Sequence, residues 1–173
     1  MRRLALASAF LTSMILVAAP AGANTTGTIN LSLNVTNACL INGANSVQTS
    51  AGTLGSIAFP DQSGIFGDID GEVVGPNGAL SVLCSPGVAP VLTIGAGQHD
   101  GSTRRNLRAN GRDVAYRLFS DAQRTTEIGI GGVINLASAA TATSVPIFAR
   151  VNSGGQVLAA GTYTDTVTVT LSW

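Results

Sequence analysis

His99 is the only histidine in the 173 residues, and Cys39 and Cys84 are the only cysteines. A nucleophilic triad or a metal cage needs several such groups converging on one point, so this chain has little from which to build either. His99 lies in Gly97-Gln98-His99-Asp100-Gly101, a turn-like run that predicts an exposed loop residue. A Ser-His-Asp arrangement would have to centre on it, and no Gly-x-Ser-x-Gly elbow accompanies it. Asp68, Asp70 and Glu72 begin like a calcium loop. However, Gly71 falls at the fourth position instead of the sixth, and Ala79 takes the twelfth, where a bidentate Glu belongs. A solvated loop is the better reading. Gly129-Ile130-Gly131-Gly132 echoes a phosphate loop, but its GxGxxG frame ends in Ile134 and opens no helical pattern, so a turn or bulge is expected. No residue is assigned to catalysis, to a metal or to a cofactor.

Charge narrows the partners. The nine basic residues are all Arg, nine acidic residues balance them, and only 10% of the chain is charged against 45% hydrophobic. No basic surface exists to hold nucleic acid or an anionic membrane. Arg104, Arg105, Arg108 and Arg112 form the one basic cluster. It has no interleaved aromatics, and pairing with Asp100 and Asp113 or contact with some anionic surface is expected of it. The length suits one domain of ordinary size.

Arg2 and Arg3, an apolar run from Leu4 to about Ala19, Pro20 and the small series Ala21-Gly22-Ala23 have the layout of a secretory signal peptide, residues 1–23. A membrane anchor is the competing reading. The run has about 16 residues where a span needs roughly 20, and Ser8, Thr12 and Ser13 dilute it. Cleavage after Ala23 would leave seven Arg against nine acids, 7 − 9 = −2. Export places the chain in an oxidising compartment, where the two cysteines most simply form a structural disulfide, Cys39 to Cys84. Closing that loop removes denatured-state entropy worth about 4 kcal/mol. Three Asn-x-Ser/Thr sequons, at Asn24, Asn30 and Asn34, carry meaning only in a host with that glycosylation.

The elements that must position these residues are strands. After the signal segment no window repeats apolar residues at helical spacing, whereas period-2 alternation and β-branched residues recur between Gly, Asn, Asp and Pro. The clearest strand is the last. Tyr163, Val167, Val169, Leu171 and Trp173 point one way and Thr164, Thr166, Thr168, Thr170 and Ser172 the other, with Asp165 expected at the strand entrance, hydrogen-bonded or exposed and not deep in the core. Leu80 to Cys84, Val91 to Ile94, Val114 to Leu118, Val145 to Val151 and a shorter Leu54 to Phe59 read as further strands. Pro146 marks an edge or bulge. Pro60 to Gly78 reads as a long connection holding one short strand. Several short strands in one small domain predict an all-β sandwich with Greek-key connections.

Between Gly27 and Asn37, Ile29, Leu31, Leu33 and Val35 alternate with Thr28, Asn30, Ser32 and Asn34, which predicts a strand. Two readings stay open. It is the first strand of a complete sandwich, or it is a strand lent to another molecule, giving main-chain hydrogen bonds to an open sheet edge and side chains to its pockets.

The order of features resembles the spore coat protein U domain family, which includes subunits of archaic chaperone-usher pili. The resemblance rests on the alternating N-terminal strand running into Cys39, on Leu80 to Cys84, and on Arg105-Asn106-Leu107 leading to Val114-Ala115-Tyr116-Arg117-Leu118-Phe119-Ser120-Asp121. It continues through Phe148-Ala149-Arg150-Val151 to the ending Ala160-Gly161-Thr162-Tyr163-Thr164-Asp165-Thr166-Val167-Thr168-Val169-Thr170, the most specific stretch. Ile128, Ala159 and Phe59-Pro60 depart from the family pattern, where Trp, Pro and Phe-Gly are usual. Those departures bear on the branch, pilus subunit or spore and cell-surface protein, and not on the fold.

The resemblance implies an immunoglobulin-like Greek-key sandwich, residues 37–173, that lacks its last strand. The acceptor-groove edge would be formed by Tyr163, Val167, Val169, Leu171 and Trp173. Residues 24–36 would be a donor-strand extension carrying Ile29, Leu31, Leu33 and Val35. It implies as partners a periplasmic pilus chaperone, an outer-membrane usher and identical or related pilins. It also implies passage through the periplasm to a cell-surface fibre in adhesion or biofilm formation. The alternative is a self-complete secreted or spore-coat sandwich with a surface-binding role.

Overall fold

A computed structural model describes residues 22, 24–43, 50–101 and 103–173. The signal peptide expected at 1–23 falls, Gly22 apart, outside the described residues. Two compact units are present, Met1–Asn34 and Val35–Trp173. Among the described residues no helix is long and apolar enough to cross a membrane.

In the first unit, the described residues from Asn24 to Asn34 are exposed and belong to no strand. The strand expected over Gly27–Asn37 is thus not formed. Alternation supplies a strand's side chains but not its hydrogen bonds, and an extended segment without a partner edge leaves its backbone to water.

The second unit holds ten strands among its described residues: β1 (Cys39–Ile41), β2 (Ile69–Glu72), β3 (Ser81–Cys84), β4 (Val91–Gly97), β5 (Arg105–Ala109), β6 (Arg112–Phe119), β7 (Gly132–Asn135), β8 (Thr143–Ser144), β9 (Phe148–Val151) and β10 (Val167–Ser172). All pairings are antiparallel, in sheets ordered β1-β3-β8, β10-β4-β7 and β2-β9-β6-β5. Neighbours distant in sequence, such as β10 beside β4, give the crossing connections of a Greek-key sandwich. The inward residues of alternating strands meet in one core: Val82 and Cys84 from β3, Leu92 and Ile94 from β4, Val114, Tyr116 and Leu118 from β6, and Ala149 and Val151 from β9. Each fully buried aliphatic side chain contributes roughly 1.5–3 kcal/mol. Cys39 and Cys84 face each other in the β1–β3 register and are joined by a disulfide.

Three expectations are corrected. Val145 to Val151 is not one strand, because β8 and β9 lie in different sheets on either side of Pro146. Proline has no N–H for the ladder, so pairing ends there and the chain changes sheet. Buried Val145 donates to Leu80 O at 2.8 Å, and buried Ile147 accepts from Val73 N at 2.8 Å. Leu54 to Phe59 is reduced to a single bridge, Ser56 to Val74, between Gly55 and Pro60. Asp70 and Glu72 sit on β2 and not in a solvated loop: Arg150 on β9 grips Asp70 with Nε–Oδ1 2.8 Å and Nη2–Oδ2 3.0 Å, holding that carboxyl below its usual range.

Candidate functional site: an apolar groove beside the last strand

β10 follows from an unbroken Val/Thr alternation, and its apolar residues face the core while its threonines face solvent. One edge pairs with β4, from Ser172 opposite Val91 to Val169 opposite Ile94, with an irregularity between Val167 and Val169. Among the described residues the other edge has no strand partner, and β1 likewise pairs only with β3. Between these edges opens a groove of about 830 Å³. Val167, Val169, Leu171 and Trp173 line it from β10 and the residue that follows. Cys39 and Ile41 of β1 and the segment from Ser50 to Ile57 line it as well. Its floor is the core itself, including Leu80, Ile94, Leu118 and Ala149.

Val167, Val169 and Leu171 therefore stay half-buried although they point inward, and Trp173 is 47% exposed. An apolar gap with unpaired strand edges is what another strand can fill, and left open it invites aggregation. Tyr163, expected on the same edge, falls outside the groove lining. Thr164 next to it bridges to Arg108 of β5, with Arg108 N to Thr164 O 2.9 Å, so the chain is still held by the four-stranded sheet there and reaches β4 only afterwards. Tyr163 Oη donates to Ala159 O at 3.1 Å.

At the crossing point Asp165 closes one end of the groove. Its side chain is only 2% exposed, deeper than expected. Burial is tolerated because Tyr116 Oη donates to Oδ2 at 2.6 Å and His99 N to Oδ1 at 3.1 Å. Gly97 makes the room, since a Cβ there would collide with the carboxylate. Burial first, and the bond to Asp165 second, push the Tyr116 hydroxyl far above its ordinary pKa, so it stays a donor. His99 is not the exposed loop residue expected of a Gly-rich turn: its side chain is 27% exposed and Nδ1 lies 3.2 Å from Asp165 Oδ1, poorly aligned for a hydrogen bond.

Arg105, expected within the basic cluster to pair with an acid or meet an anionic surface, is 3% exposed. Its guanidinium donates to the carbonyls of Ile94, Gly95, Ile128 and Gly129 at 2.8–3.1 Å, tying β5 to β4 and to the Gly129–Gly132 turn. Desolvation draws its pKa down. The signal was its place two residues before half-buried Leu107, on the inward face of β5. Arg108 pairs with Asp113 as expected, Nη2–Oδ2 2.7 Å. Arg104 and Arg112 are exposed. The donor candidates Ile29, Leu31, Leu33 and Val35 are 87%, 88%, 88% and 79% exposed.

A family model described as Spore Coat Protein U domain matches residues 25–170. The chain belongs to the Spore Coat Protein U domain family. No curated protein matches it. Among solved structures it is similar to a chain in the CsuC–CsuE chaperone–tip adhesion subunit pre-assembly complex from archaic chaperone-usher Csu pili of Acinetobacter baumannii, at 16% identity and TM-score 0.49. That match covers 80% of this chain and 40% of the other. A chain from a chaperone–tip adhesin complex of CFA/I fimbriae biogenesis matches at 12% identity and TM-score 0.37, over 78% of this chain and 42% of its own. The chain thus spans about two fifths of the length of each of these two chains.

Proposed function

We propose that this Spore Coat Protein U domain is a structural subunit of a cell-surface fibre, polymerising when the 24–36 segment of one copy fills the groove beside β10 of the next. The observation that carries this reading is a match of supply and demand. Four alternating apolar side chains, Ile29 to Val35, stand exposed, and four groove-facing ones, Val167, Val169, Leu171 and Trp173, lack cover. Inserted as a strand, the segment gives the β10 edge its missing backbone partners and buries its own apolar row, each side chain worth roughly 1.5–3 kcal/mol. Head-to-tail transfer of this kind does not close, so it generates a fibre.

An open groove needs cover before assembly, which supports a periplasmic chaperone as first partner and an outer-membrane usher as the place of exchange. The signal-like segment supports export through the periplasm to the cell surface, and adhesion or biofilm formation is the setting proposed. The role is structural and not catalytic. Leu31→Asp, which puts a charge in the centre of the apolar row, tests it: SDS-resistant polymer should fall at least tenfold while the subunit still binds its chaperone. Unchanged polymer would contradict the reading.

A further inference from the structure

The groove wall formed by Ser50 to Ile57 is tied to the rest of the domain by hydrogen bonds at two places among the described residues. Ser56 exchanges backbone bonds with Val74, at 2.9 and 2.8 Å. Leu54 O accepts from the side-chain amide of Asn42, Nδ2 at 2.8 Å. Before Leu54, the backbone of Ser50 to Thr53 lines the groove without a hydrogen-bond partner among the described residues. Asn42 follows β1 directly, and its backbone lies in the left-handed region, φ 52°, which Asn tolerates better than most residues. Its amide oxygen accepts from Ser81 N at 3.2 Å, and its own N–H donates to Ser81 O at 2.9 Å. The amide is thus fixed on the start of β3 with its NH2 turned to the wall. Its two partners, an N–H and a carbonyl, leave only that orientation. Gly75 leaves room for the tie, since a Cβ there would come 3.2 Å from Asn42 Oδ1 and 3.3 Å from Leu54 O.

From this we infer that Asn42 is a positioning residue for strand insertion, holding the wall from Ser50 to Leu54 where its unpaired backbone groups can bond the incoming strand of a second copy. The inference rests on the strand-insertion reading above. The open edge of β10 offers that strand one row of partners. Neighbouring strands lie about 4.8 Å apart, so a second row can share the strand only if it is held at a fixed distance across the groove. The bond from Asn42 Nδ2 is the last tie before the unbonded stretch, and so sets that distance. Asn42 is not itself part of the groove lining, so it acts through the wall and not by contact with the strand. Neither close substitute does the same. Aspartate would keep the bond from Ser81 N but set a carboxylate oxygen against Leu54 O, whereas glycine would keep the left-handed backbone and make neither side-chain bond.

The test compares the unaltered full chain with Asn42→Asp and Asn42→Gly, each expressed with its chaperone and read as SDS-resistant polymer and by hydrogen exchange within that polymer. Asn42→Asp should lower polymer at least tenfold, and Asn42→Gly should lower it less. In the polymer that either variant forms, the amides of 51–54 should exchange at least tenfold faster than in the unaltered polymer, while those of β4 stay within twofold. A merely structural Asn42 would reverse the order of the variants, because glycine also forfeits the bond from Ser81 N, and would speed exchange in β4 as much as in the wall. Asn42→Asp polymerising like the unaltered chain, a larger loss in Asn42→Gly than in Asn42→Asp, or exchange raised equally at 51–54 and in β4 would each overturn the assignment. Should Asn42→Asp give no folded subunit, the exchange pattern of the Asn42→Gly polymer decides by the same criterion. Failure of the unaltered chain to polymerise would instead remove the strand-insertion reading itself.

Discussion

Gly97 and Asp165 show how closely residue choice is coupled at the end of the groove. A methyl group on residue 97 meets the buried carboxylate, so Gly97→Ala should destabilise the domain by about 1–3 kcal/mol, the usual cost of overpacking, measured by urea unfolding. Gly97→Ala made in the Asp165→Asn background should cost no less, because the amide is the same size as the carboxylate. A different residue contributes to acid sensitivity. Asp121 accepts from Thr125 N at 3.0 Å and Thr126 N at 2.6 Å, and these backbone bonds lower its pKa from 3.8 to about 2. A carboxylate with a depressed folded-state pKa stabilises the fold above its unfolded value and ceases to do so as pH falls through the folded one. Stability should therefore decline between about pH 4 and pH 2, and Asp121→Asn should flatten that part of the thermal-melt profile.

At the scale of elements, the disulfide joins β1 to β3 and so holds one wall of the groove. Replacing both cysteines with alanine frees a loop of 45 residues in sequence separation and should lower unfolding stability by about 4 kcal/mol, with groove filling impaired in parallel. Strands β3, β4, β6, β9 and β10 were legible because alternation maps directly onto burial: Val114, Tyr116 and Leu118, or Val167, Val169 and Leu171, face the core as their spacing requires, whereas β1, β5, β7 and β8 were not expected. What was not legible depended on partners. Gly27–Asn37 has a strand's pattern and forms none, since pattern cannot supply an edge to pair with. Val145–Val151 has a strand's composition, but only Phe148–Val151 forms one, because Pro146 interrupts the ladder between β8 and β9, which lie in different sheets. The β10 face was readable as a row, whereas the depth of Asp165 and Arg105 depended on donors and carbonyls brought in from β4, β6 and the 128–132 turn.

In the proposed fibre, unpaired apolar surface in one domain is complemented by an unpaired apolar segment of another copy. Subunit solubility should then depend on whatever covers the groove, and polymer should resist heat and detergent far better than the free subunit, because release requires a whole strand to leave at once. The most direct measurement is the assembly state of residues 24–173 expressed with a matching periplasmic chaperone, compared with a chain lacking 24–36. Heat-resistant polymers are expected from the first, and from the second a species that stays chaperone-bound and cannot extend a fibre. Stable chaperone-free monomers from both would contradict strand insertion.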